Sequence, residues 1–170
     1  MKRLMISIFL ISLILIPNSG HCLKHDIEGW GGLNWLESLE SAKDKIDAEH
    51  TQFEEDGITW LRWKKEIVNK NFNVEAGFIN NKLVAIILSK EVRDSDRLEA
   101  ADVQILLKSY ISKYGEPTEH QSPSIVQDKY VWVGQSGDLE IELLKAGIIY
   151  QMVIMYHIKF PENKVESNDI

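Results

Sequence analysis

At 170 residues the chain is long enough for one domain with a substantial core. Its 19 Lys and Arg against 26 Asp and Glu give a formal charge of −7. The acidity is spread along the chain, which counts against nucleic acid or an anionic membrane surface as a partner. Cys22 is the only cysteine, so an internal disulfide and a zinc site built on paired cysteines are both excluded.

Lys2 and Arg3 precede an apolar run from Met5 to Ile16, interrupted by Ser7 and Ser12 and closed by Pro17. A basic start, a short apolar stretch and small residues at Ser19 and Gly20 have the layout of a secretory signal peptide. The run is too short to span a bilayer. Cleavage after Gly20 puts Asn18 at the third position back, whereas cleavage after Cys22 puts Gly20 and Cys22 at the two small-residue positions. Cys22 also stands where a lipoprotein carries its lipid, but His21 departs from the small residue that a lipobox places there. Residues 1–22 are read as a signal peptide, 23–160 as a single α+β domain and 161–170 as a polar tail. The expected location is periplasmic or secreted in a bacterium, with membrane anchoring only if Cys22 is lipidated.

After a glycine-rich lead-in, Leu39, Ala42 and Ile46 recur at helical spacing. Ser38 can cap that helix, with Asn34 and Glu37 as an earlier alternative. TQFEEDG reads as an acidic loop. ITWLRWKKEIVNK is strand-like, and in FNVEAGFI the residues Phe72, Val74, Ala76 and Phe78 share one face. Asn80-Asn81 supplies a tight turn, and KLVAIILSKEV returns as an apolar strand. RDSDRLEAAD is a charged connector. Val103, Leu106, Leu107, Tyr110, Ile111 and Tyr114 then make the strongest helical stripe in the chain, ended by Gly115 and Pro117. A loop rich in Ser, Pro and Gln leads to three more strands, KYVWVGQ, LEIELLK and IIYQMVIMYHIKF, with turns at Ser136-Gly137-Asp138 and Ala146-Gly147. Each half thus reads helix–strand–strand–strand, with Trp60 and Trp132 similarly placed after their helices. The fold expected is α+β, an antiparallel sheet of about six strands with two amphipathic helices on one face and a duplicated helix–strand–strand–strand unit.

NWLESLESAKDKI resembles the WG-x-S-x-E-E-V-K opening of small bacterial periplasmic proteins and lipoproteins of uncharacterised function. KSYISKYGEP is similar to their L-x-x-K-Y-G-x-P helix end, and YVWV, LEIELL and IIYQMVIMYHI to their tryptophan strand and closing strands. The resemblance runs from Gly29 to His157; Leu36 departs from it where the motif has glycine. The pattern is also similar to the repeat of β-lactamase-inhibitor proteins and of small outer-membrane-assembly lipoproteins. The resemblance implies a protein-binding scaffold and carries over no catalytic residue.

The chain's own chemistry points the same way. Glu54-Glu55-Asp56 and the pair Asp94 and Asp96 lie in polar connectors, and Glu140 and Glu142 mark the outward face of a strand. No Gly-x-Ser-x-Gly and no phosphate-binding glycine loop is present. The chain is therefore read as a binding protein rather than an enzyme, with no resident cofactor. One metal site is conditional on processing. If cleavage follows Cys22, the chain begins Leu23-Lys24-His25. A free amine with His25 third wraps copper(II) in a square plane through the amine, two backbone amides and the imidazole. Small-ligand or copper(II) binding is thus the alternative function.

The last strand poses the main question, because it is apolar on both faces. Its even-numbered residues would pack on the helices, while Ile149, Val153 and Met155 face away beside Gln151 and His157. Antiparallel sheets usually solvate that second face. Trp63 and Ile87 are expected to extend the patch. The partner that would cover it is another envelope protein or a second copy, and the competing explanation is cover by the lead-in or the tail.

Overall fold

The structure is a computed structural model and describes residues 23–160. Residues 1–22, read as a signal peptide, and 161–170, read as a polar tail, lie outside the described residues. The lead-in forms a ribbon of two short strands, β1 (Gly29–Trp30) and β2 (Leu33–Asn34). A first unit follows: α1 (Leu39–Lys45), β3 (His50–Glu55), β4 (Ile58–Ile67), β5 (Lys70–Ile79) and β6 (Lys82–Lys90). A connector holding β7 (Leu98–Glu99) leads to the second unit: α2 (Ala100–Tyr114), β8 (Glu119–Ser124), β9 (Gln127–Val133), β10 (Gly137–Ala146) and β11 (Ile149–Ile158). The strands of both units make one antiparallel sheet in the order β3-β4-β5-β6-β11-β10-β9-β8, and β7 adds a ninth strand beside the start of β11.

The α+β antiparallel architecture is as expected, but the unit is a helix with four strands rather than three. The additional strands, β3 and β8, are the two outer edges of the sheet. Edge strands need little apolar alternation, and these have almost none: HTQFEE has only His50 and Phe53 half-buried, and EHQSPS is exposed throughout. Pro123 lacks the N–H that an inner strand would need, so it belongs on an edge. Polar, interrupted edges also discourage further pairing with other chains.

One face of the sheet carries the core. Leu61 and Trp63 on β4, Phe72, Val74 and Ala76 on β5, Ile86 and Leu88 on β6, and Met152, Ile154 and Tyr156 on β11 are all buried. In the second unit Trp132, Leu139, Ile141 and Leu143 continue it. Helix α2 covers this face with Val103, Leu106, Leu107, Tyr110 and Tyr114. Helix α1 does much less. Ser38 accepts a hydrogen bond from the Ser41 N–H at 3.2 Å, as its capping position predicts, but the seven-residue helix buries only Ala42. Of the two amphipathic helices expected, one is long and one is short.

The lead-in supplies the missing cover. Ile27 and Leu33 are fully buried, and the Trp30 ring lies 6.5 Å from that of Tyr156. A latch to the second unit holds it there. The Asp26 carboxylate accepts hydrogen bonds from the backbone N–H groups of Ile27, Gln135 and Ser136 and from the Ser136 hydroxyl. Burial pushes the Asp26 carboxyl upward, but these donors outweigh it and hold the group below its ordinary range. Trp35 Nε1 donates to the Ile27 carbonyl at 2.6 Å, and a Cβ at position 137 would lie 2.7 Å from that nitrogen, so only glycine admits the crossing.

At the end of β6, Lys90 is 1% exposed. Its ammonium donates to the Asn71 carbonyl at 2.9 Å and pairs with Asp94 and Asp96. These bonds tie the charged connector to the sheet.

Candidate binding face of the sheet

The second face of the sheet has no element of the described residues packed on it. Its composition follows from register. Arg62, Glu75, Ile87, Met155, Glu140 and Val131 stand in one row across β4-β5-β6-β11-β10-β9. The next row is Lys64, Asn73, Ser89, Val153, Glu142 and Lys129. Strand period two then fixes the rest: whatever alternates with the buried residues must point here. Ile149, Val153 and Met155 do so and are half-buried by their neighbours in the sheet. Ile87 is beside Met155 on the next strand.

Trp63 is not part of this face. It is 7% exposed and belongs to the core, paired with Val74. Trp60 takes the place expected for it. Trp60 is opposite Gly77, and a Cβ at position 77 would come within 2.8 Å of its ring. The indole lies on the open face because the facing strand offers no side chain there. The sequence carried a usable signal. Phe72, Val74 and Ala76 fix the inward parity of β5, so Gly77 points outward, and a glycine inside a strand marks a close approach. Phe53 on the edge strand extends the aromatic end, with the Arg62 guanidinium 4.5 Å above its ring.

Charges surround the apolar centre in a definite pattern. Asp138, Glu140 and Glu142 succeed one another along β10. Lys129 pairs with Glu140 at 2.5 Å and with Glu142 at 3.6 Å, and the hydrogen bond to Glu140 raises its pKa. Arg62 pairs with Glu75 at 2.6 Å. His157, half exposed, stands 3.6 Å from Asp138, which also meets Lys159 at 3.0 Å. The result is an apolar cluster of Ile87, Val153 and Met155 on β6 and β11, with Trp60 lying over Gly77 and paired charges on β4, β5, β9 and β10 around it.

The lead-in does not cover this cluster, because Ile27, Trp30 and Leu33 pack on the opposite side of the sheet with the core. His25 is exposed near the end of α2. The Lys24 amide, one of the two backbone nitrogens a copper(II) chelate would use, instead donates to the Tyr114 carbonyl at 3.1 Å. Copper would have to break that bond to assemble the site. The chain matches no known family model, no curated protein and no solved structure.

Proposed function

We propose that the chain is a protein-binding module of the bacterial envelope and that it docks its partner on the open face of the sheet. The observation that carries this reading is the band of Trp60, Ile87, Val153 and Met155 on a face that no described element covers. Fold stability does not require apolar residues there, since polar side chains serve the solvated face of an antiparallel sheet. The resemblance read from the sequence, which implies a protein-binding scaffold, and the leader read in residues 1–22 both fit this reading.

The register also describes the partner. It must present an apolar surface to Ile87, Val153 and Met155.

The test is Val153→Arg. Position 153 faces Glu142 and Ser89, so an arginine there pairs with Glu142 and the fold tolerates it, at a cost of about 1 kcal/mol or less. In a gentle envelope extract the native chain should elute from a size-exclusion column well above monomer size. The variant should elute as a monomer with its thermal midpoint nearly unchanged. Monomeric elution of the native chain defeats the reading, as does an unaltered large complex in the variant.

A further inference from the structure

The opposite side of the molecule holds a separate feature. Helix α2, the β4–β5 turn and Trp30 enclose a cleft of about 210 Å³. Its inner wall is Tyr110 and Tyr156, both at least nine-tenths buried, and its sides are Trp30, Val68 and Leu106. Lys113, one helical turn beyond Tyr110, stands at the mouth with its ammonium 4.7 Å from the centre of the Tyr114 ring. The cleft is somewhat larger than the ~150 Å³ cavity that accepts a benzene molecule.

Three features of the cleft point to a ligand. The first is backbone strain. Val68 has φ +53° and Asn69 φ +57°, a left-handed turn that disfavours a β-branched residue. The next hairpin solves the same geometry with Asn80 and Asn81 at φ +49° and +60°. At position 68 the chain keeps an apolar side chain against the conformational preference, and that side chain forms a wall of the cleft. The second is a spare donor. The Tyr156 hydroxyl donates to that of Tyr110 at 3.1 Å. Hydroxyls linked in a chain keep one hydrogen more than they have links, so the inner wall retains a phenolic donor. Burial pushes the Tyr110 phenol up to about 12, so it stays protonated at any physiological pH. The third is the cation at the mouth, Lys113.

We propose that this cleft binds a small aryl carboxylate. The ring lies among Trp30, Val68 and Leu106, a ring oxygen accepts from the Tyr110 hydroxyl, and the carboxylate meets Lys113. The site is independent of the open sheet face, so its failure would leave the protein-binding reading untouched.

The probe is 3-(4-hydroxyphenyl)propanoate, titrated into the protein while the Trp30 indole resonance is followed by NMR, with Trp30→Phe to assign it. A saturable shift with Kd below about 1 mM is expected. Removing the ring oxygen, with 3-phenylpropanoate as probe, should weaken binding roughly fivefold. Lys113→Gln should weaken it roughly threefold, as fits an exposed cation. Ser109→Trp, an exposed change at the mouth that leaves the core intact, should abolish the shift. Two results overturn the proposal: no saturable shift by roughly 10 mM probe, or a shift that survives both Ser109→Trp and Lys113→Gln unchanged.

Discussion

The two units share a plan and differ in how their cores are covered. In each, four strands form a meander whose last strand lies at the centre of the sheet, β6 against β11. Trp63 is the sixth residue of β4 and Trp132 the sixth of β9, and both are buried in the core. The helices are unequal: α2 buries five residues and α1 buries one. A unit with so short a helix cannot seal its own half of the sheet, and the lead-in makes up the deficit with Ile27, Trp30 and Leu33. The latch at Asp26 fastens that cover to the β9–β10 turn of the other unit. The units therefore form one structure, tied together by the β6–β11 pairing and by a segment that precedes the first unit in sequence.

The largest expected effects test the equivalence of the two tryptophans. Trp132→Ala should cost about 4 kcal/mol and Trp63→Ala about 3 kcal/mol, as for other large aromatics removed from a core. Trp132 has the larger value because its Nε1 also holds the Gly115 carbonyl at the end of α2, at 2.9 Å. Trp60→Ala, on the open face, should cost only about 1 kcal/mol. Urea denaturation of the three variants ranks them, and a Trp60 variant as damaged as the Trp63 variant would contradict the division of the sheet into a core face and an open face.

The latch comes next. Asp26→Ala strands three backbone N–H groups and should cost about 1–3 kcal/mol at pH 7. Because the folded carboxyl lies below its ordinary range, its contribution is complete above the pKa of the unfolded chain. The contribution is lost as pH falls through the lowered folded value. The stability gap between native protein and variant, measured by denaturation from pH 7 to pH 2, should therefore shrink toward the acid end. A gap that stays constant would mean that Asp26 acts by packing alone.

Much of this was legible in the sequence, and the omissions have physical causes. The stripe from Val103 to Tyr114 and the alternation in β5 and β11 are visible because one face of each is fully buried. Ser38 and Asn80-Asn81 are visible because caps and left-handed turns demand particular residues. The strands β3 and β8 left no alternation because neither face of an edge strand is buried deeply enough to require one. The placement of Ile149, Val153 and Met155 followed from period two, whereas Trp60 and Trp63 are an odd number of residues apart, so only one could face outward. Choosing between them needed the register against Gly77. The β4–β5 turn was hidden for a different reason: its first residue is Val68, whose chemistry argues against a turn.

That turn gives the smallest effect and separates strain from binding. Val68→Asn relieves a left-handed conformation that costs a β-branched residue roughly 1–2 kcal/mol. It also gives up apolar contact worth about 1 kcal/mol for a half-buried valine. The two nearly cancel, so thermal and urea midpoints should move little, with any change toward higher stability. If Val68 is retained as a wall of the cleft, the same substitution should nonetheless weaken the aryl carboxylate several-fold, since it replaces an apolar side with an amide. A variant that loses stability and keeps the ligand would assign Val68 to core packing instead. The neighbouring turn supplies the control: Asn80→Val imposes the same strain at a residue that does not line this cleft, and it should destabilise the protein by roughly 1 kcal/mol while leaving the titration unchanged.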